Sequence, residues 1–153
     1  MTALPQKYCV LFLRIALGVT YLSAVADRLG LWGDPGAANV AWGNFHFFLE
    51  YTALLNPYCP SSMIPVIGWG VTIIEVLLGI VLIVGFQVRI SAVISGILLL
   101  CFAVGMIVGI GIKAPLDYSV FTASAASFLL AFQENHLSVE TFRNRNKIPE
   151  NQS

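Results

Sequence analysis

The sequence predicts an all-α membrane protein, a bundle of four transmembrane helices with an amphipathic interfacial helix in its long first outer loop. Two observations support this fold class. Hydrophobic residues make up 58% of the 153 residues and charged residues only 10%, whereas about a quarter of the residues in a soluble domain are charged. Four apolar segments also follow one another along the chain, and most of them are long enough to cross a bilayer.

The predicted spans cover residues 8–29, 64–86, 88–112 and 117–134. They form a single domain over 1–135, which a polar cytoplasmic tail follows over 136–153. The fourth span is short and rich in Ala and Ser. The first span also fits a signal peptide that is cleaved after Ala26. A retained span is favoured because Arg14 interrupts the apolar run and no soluble domain follows it.

The distribution of basic residues predicts the orientation in the membrane. Lys and Arg collect on the cytoplasmic side of membrane proteins. One side of the predicted bundle carries five of them, which are Lys7, Arg89, Arg143, Arg145 and Lys147. Both termini are therefore expected in the cytoplasm, with the chain integral to the bacterial inner membrane. The long loop between the first two spans then lies on the outer side.

This first loop is unusually aromatic for a solvated connection. Its aromatic residues are Trp32, Trp42, Phe45, Phe47, Phe48, Tyr51 and Tyr58. Aromatic rings of this kind settle at the interface between membrane and water. We therefore expect an interfacial helix over residues 39–54, which lies along the outer membrane surface or dips into it.

Glu75 lies inside the second apolar segment, where a carboxylate is tolerated mainly when it faces protein, water or an opposite charge. It shares a helix face with Thr72 and Gly79, so it points into a helix contact. Arg14 is its predicted partner within the membrane. Alternatively, Arg14 extends to the cytoplasmic headgroups and a protonated Glu75 bonds to Thr72. Glu75 and Arg14 are therefore candidates for pairing or for carrying protons, and no catalytic residue is assigned firmly.

A candidate polar cluster, accessible to protons, is expected at the outer face. Its members are Asp27, Arg28, His46, Glu50, Lys113 and Asp117. Hydration of polar side chains at the interface explains the same residues without a function. His46 and His136, the two histidines of the chain, fall on opposite sides of the predicted bundle, so no metal site is predicted. The three cysteines lack C-x-x-C spacing, and no nucleotide-binding motif occurs.

Two stretches of the chain carry small and charged residues at fixed spacing, which are Leu13-Arg14-Ile15-Ala16-Leu17-Gly18 and Glu75-x3-Gly79-x5-Gly85-x3-Arg89. They resemble the DoxX family of membrane proteins. The residues that carry the motif are Arg14, Gly18, Glu75, Gly79, Gly85 and Arg89. The resemblance implies a four-helix inner-membrane protein, from a family sometimes associated with quinone-linked oxidation of sulfur compounds or with thiol stress. The chain departs from the family at Arg28, where Lys is usual, and at Val25, where Gly is common.

Two classes of function remain open at this point. The favoured one is a non-catalytic accessory, scaffold or small-solute-handling module. The alternative is a membrane subunit of a quinone-linked oxidoreductase for sulfur compounds or thiols, as in thiosulfate:quinone oxidoreductase. No cofactor motif is evident, and a quinone or a small apolar ligand is the candidate small molecule. The expected partners are the lipid bilayer and a second copy or another protein of a membrane complex. The formal charge of zero argues against nucleic acid.

Overall fold

The computed structural model describes residues 3–133, and within this range all regular elements are helices. The helices are α1 (Ala3–Arg28), α2 (Phe45–Leu55), α3 (Ile64–Val84), α4 (Val88–Ile110), α5 (Lys113–Asp117) and α6 (Val120–Ala131). One 3₁₀ turn, Ser61–Met63, precedes α3. The predicted tail over 136–153, with His136, lies outside the described residues.

Three of these helices are long and apolar enough to cross a membrane, by length and composition. They cover Gln6–Arg28, Ser61–Val84 and Val88–Ile110 within the described part of the chain. The prediction of a helical integral membrane protein is therefore confirmed. The fourth predicted span is only partly present as one helix, because α6 has 12 residues. At a rise of about 1.5 Å per residue it is roughly 18 Å long, shorter than the hydrocarbon core of about 30 Å.

The fourth predicted span is divided by its backbone conformation. Ser119 adopts a left-handed conformation with φ 54°, directly before α6 begins at Val120. The residues before it form the separate short helix α5. A left-handed residue other than glycine does not continue an α-helix. The apolar composition of this segment gave no sign of this break.

Helices α1 and α3 pack against each other, and α4 packs against α6. Gly18 and Gly79 lie where α1 crosses α3. A Cβ atom on Gly18 would lie 2.8 Å from the Gly79 carbonyl oxygen, and one on Gly79 would lie 3.1 Å from the Gly18 carbonyl oxygen. Small residues allow helices to approach this closely in lipid. Side chains such as Leu82 and Leu130 fill the core beside this crossing.

Helix α2 is shorter than the interfacial helix predicted over 39–54. Asn39 and Gly43 have left-handed backbones, with φ 64° and 68°, so the chain cannot be helical through them. The helix begins after Asn44, whose side-chain oxygen accepts from the Phe47 amide at 3.0 Å. Helix α2 packs against α3 and α4, and a side chain on Gly109 would overlap the Leu54 carbonyl.

The bundle therefore has two different ends. We call the end that carries α2 and residues 29–63 the loop end. The opposite end, where residues 85–87 join α3 to α4, is the turn end. There Gly85 ends α3 in a left-handed conformation, with φ 79°. This short connection places the start of α4 directly beside the end of α3.

Candidate functional site

Glu75 is buried in the middle of α3, with 2% of its surface exposed, and its partner is Arg28. Arg28 Nη1 donates a hydrogen bond to Glu75 Oε2 and another to Thr72 Oγ1, the latter at 3.1 Å. The predicted pair between Arg14 and Glu75 is therefore wrong. The shared helix face of Thr72 and Glu75 is confirmed, since both side chains meet the same guanidinium.

The helix crossing explains why Glu75 pairs with Arg28. Helices α1 and α3 run in opposite directions and cross at Gly18 and Gly79. Glu75 lies four residues, or roughly 6 Å, from the crossing toward the loop end. Arg14 lies about as far on the other side of the crossing, whereas Arg28 lies roughly 15 Å from it on the same side as Glu75.

The direction in which the side chains point also favours Arg28 over Arg14 as the partner of Glu75. Side chains on a helix tilt toward its N-terminus. On α1 this direction is toward the turn end, so Arg28 extends toward Glu75 and Arg14 extends away from it. The guanidinium of Arg14 reaches the turn end, where it occupies the space beside Gly85.

Two aromatic rings cover the guanidinium of Arg28. Its central carbon lies 3.9 Å from the ring centroid of Phe48 and 5.2 Å from that of Trp42. Both distances are within the range for an attractive interaction between a cation and an aromatic face. Arg28 is 3% exposed, so these rings and Glu75 replace the water that a charged group normally requires.

Asp27 holds the loop segment that supplies Trp42. Its carboxylate accepts hydrogen bonds from the backbone amides of Ala41 at 3.0 Å, Trp42 at 3.1 Å and Gly43 at 3.3 Å. A carboxylate surrounded by amides satisfies buried backbone donors that would otherwise lack partners. The adjacent residues Asp27 and Arg28 therefore act together. Asp27 fixes the loop at residues 41–43, and Arg28 contacts the ring of Trp42 in that loop.

The predicted outer-face cluster does not form as one group. Asp27 and Arg28 are buried and point to different partners. The other four residues form two exposed pairs, one turn apart on their own helices. These pairs are His46 with Glu50, at 3.2 Å, and Lys113 with Asp117. Within residues 3–133 there is no group of three or more potential metal ligands.

A second buried polar group joins α1, α4 and α6, and sequence reasoning missed it. The Tyr21 hydroxyl and Ser95 Oγ are 2.7 Å apart, and Ser95 Oγ lies 3.0 Å from Ser127 Oγ. Ser124 Oγ donates to the Gly96 carbonyl at 2.8 Å. Such bonds between helices stabilise bundles modestly in lipid. The sequence signal for such a group is a pair of hydroxyl residues four positions apart in an apolar segment, such as Ser91 and Ser95.

Two cavities adjoin helix α2. The smaller has a volume of about 210 Å³ and lies between α2, α3 and α4, with Arg28, Trp42 and Tyr51 in its wall. The larger, of about 450 Å³, lies between residues 55–59 and the outer face of α4. Burial, and secondarily the neighbouring Tyr118, raises the pKa of Tyr51 above its ordinary value, so its hydroxyl stays protonated at neutral pH.

A family model described as methylamine utilisation protein MauE matches residues 6–117. The chain belongs to the MauE family. This is a membrane family, and membership supports an accessory role in the membrane. No curated protein and no solved structure matches the chain significantly.

The assignment to the DoxX family is therefore wrong, and the MauE match overturns it. The role as a thiosulfate:quinone oxidoreductase subunit, which rested on that assignment, is not supported either. Both stretches that carried the resemblance lie within the part of the chain that matches MauE. Their glycines serve helix packing, because Gly18 and Gly79 form the crossing and Gly85 ends α3. Glycine spacing of this kind serves close helix packing in membrane bundles and does not by itself identify one family.

The remaining motif residues lie at the turn end in this MauE-family chain. Arg14 is 3% exposed, and its Nε is buried with no hydrogen-bond acceptor among residues 3–133. Arg89 is exposed near the start of α4. Neither residue contacts the site at Glu75. The candidate site is thus confined to the loop end, around Arg28.

Proposed function

We propose that this chain is a non-catalytic accessory protein of methylamine utilisation, which holds a preformed surface at its loop end for a protein partner in the membrane. The family match over residues 6–117 carries this proposal. The geometry of the loop end supports it. Arg28 and Glu75 are bonded to each other, and Asp27 holds the loop at residues 41–43.

A growth experiment tests this role. Deletion of the gene should prevent or slow growth with methylamine as the sole nitrogen source, while growth with ammonium is unchanged. Expression of the full chain from a plasmid should restore growth on methylamine. Equal growth of the deletion and parent strains on methylamine would contradict the proposed role.

Variants at Glu75 test whether the role is catalytic. Because its charge balances Arg28, both Glu75→Gln and Glu75→Leu should lower the amount of protein in the membrane. Growth on methylamine should follow that amount across the series. Loss of growth at wild-type abundance would instead indicate chemistry at Glu75, as for a proton carrier.

We also propose that the loop end faces the periplasm of a bacterial inner membrane and that both termini lie in the cytoplasm. Lys7 and Arg89 at the turn end support this orientation. A fourth crossing through α5 and α6 is supported by Gln6 Nε2, which donates to Gln133 Oε1 at 3.0 Å. In a cysteine-free background, Asn39→Cys should react with a thiol reagent that does not cross the membrane, and Gln87→Cys should not.

A further inference from the structure

The smaller cavity combines an apolar wall with a charged group. Helices α3 and α4 contribute mainly apolar side chains, which include Ile67, Val71, Leu98, Phe102 and Met106. The opposite wall contains Arg28 and the rings of Trp42 and Tyr51. An apolar pocket with a few placed polar groups is the usual form of a small-molecule site.

The size of this cavity limits what it accepts. Its volume is about 210 Å³. An engineered apolar cavity of about 150 Å³ is known to take up benzene. The cavity therefore has room for one aromatic ring with one or two small substituents.

Arg28 offers a hydrogen bond that the protein does not use. Its Nη1 donates to Glu75 and Thr72, whereas its Nε is buried and has no acceptor among residues 3–133. The guanidinium is therefore not saturated by the protein, and a ligand oxygen that bonds to its cavity-lining side would add an acceptor. The positive charge itself is already balanced by Glu75, which removes the need for an anion.

We propose that this cavity binds a neutral compound the size of a single ring that carries one carbonyl oxygen. The carbonyl oxygen accepts a hydrogen bond from the part of the Arg28 guanidinium that lines the cavity, and the ring occupies the apolar part between α3 and α4. The smaller cavity adjoins the larger one, because Leu55, Asn56, Cys101 and Gly105 lie in the walls of both. This inference does not rest on the role in methylamine utilisation, since it concerns binding by the purified protein.

Two matched probes test the proposal by ¹⁹F NMR titration of the full chain in detergent. One is 4′-fluoroacetophenone, and the other is 4-fluoro-α-methylstyrene, in which a CH₂ group replaces the carbonyl oxygen. Since the oxygen accepts from a charged donor, the ketone should bind at least about tenfold more tightly than the alkene. Equal affinity would overturn the assignment of Arg28 as the donor.

A pair of variants separates binding in the cavity from uptake by the micelle. Val71→Phe fills the cavity and should abolish binding of the ketone. Val66→Phe is the same change on the same helix at a side chain that is 68% exposed, and it should leave binding unchanged. Equal ketone signals from wild type and Val71→Phe would show partition into detergent alone and would overturn the site.

The native cysteines give a second measurement that needs no variant. Cys101 is exposed and lies in the walls of both cavities, and Cys9, which is exposed near the start of α1, serves as an internal control. Saturating ketone should slow the reaction of Cys101 with methyl methanethiosulfonate at least twofold and leave that of Cys9 unchanged. An unchanged rate at Cys101 would contradict binding in this cavity, even if Val71→Phe failed to fold.

Discussion

Arg28 at the loop end and Arg14 at the turn end are equally buried, at 3% exposure each, yet their surroundings differ completely. Arg28 has a carboxylate, a hydroxyl and two aromatic rings around its guanidinium. Arg14 has no carboxylate partner among residues 3–133 and extends instead to the end of α3. Burial alone therefore does not define a site in a membrane bundle. The position of the guanidinium relative to the helix crossing decides whether a second charge can reach it.

The largest effect is expected when the pair at the loop end is broken. Arg28→Ala or Glu75→Ala leaves one buried charge without its partner, which should lower the free energy of unfolding by about 3–5 kcal/mol. The double variant should lose much less than the sum of the two changes. Unfolding of the purified variants by SDS in mixed micelles measures both quantities.

A matched double variant provides the control for that cycle. Glu50 is exposed and pairs with His46, so Arg28→Ala with Glu50→Ala should be additive within about 0.5 kcal/mol. Additive losses for Arg28→Ala with Glu75→Ala would contradict the pairing itself.

The same substitution at the two arginines should have different effects on stability. Arg28→Met should lower the free energy of unfolding by about 3–5 kcal/mol, because Glu75 is left buried and unpaired. Arg14→Met leaves no described carboxylate without a partner, and it should change stability by less than about 1 kcal/mol in either direction. SDS unfolding again gives the comparison, and equal losses at both positions would show that Arg14 also has an essential partner.

The smallest effect is expected at the exposed pair of Lys113 and Asp117. Both side chains are largely in contact with solvent, where an ion pair one helical turn apart contributes little. Lys113→Ala should therefore lie within about 0.5 kcal/mol of wild type. A loss comparable with that of Arg28→Ala would mean that the outer-face cluster acts as one group after all.

The sequence predicted the long helices well because their apolar length is a strong signal. Helices α3 and α4 fall within two residues of the predicted spans at each end. The weaker signals failed at particular backbone positions. Because Asn39 and Gly43 have left-handed backbones, α2 begins later than predicted, and the left-handed Ser119 divides the fourth predicted span into two helices. Hydropathy does not report backbone dihedral angles, so these three conformations could not be predicted from it.

The site was harder to predict than the fold, for a geometric reason. Glu75 was correctly recognised as facing a helix contact, since the small residues on its face indicate one. A count of residues from the expected cytoplasmic ends of the spans places Arg14 close to it in depth, and this count gives the wrong partner. The decisive reference was the crossing at Gly18 and Gly79, together with the tilt of side chains toward the start of α1. Neither the position of the crossing nor the direction of the side chains can be derived from the lengths of the apolar segments.

The three amide bonds to Asp27 also have a consequence for the order in which the chain assembles during synthesis. Ala41, Trp42 and Gly43 follow Asp27 by 14 to 16 residues, whereas Glu75 follows Arg28 by 47. At roughly 5–20 residues per second, the loop can close on Asp27 a few seconds before Glu75 leaves the ribosome. Closure of the loop would bring Trp42 beside Arg28 during that interval, as in the folded protein. The Trp42 ring, which Asp27 holds in place, would therefore cover Arg28 before Glu75 is present to balance its charge.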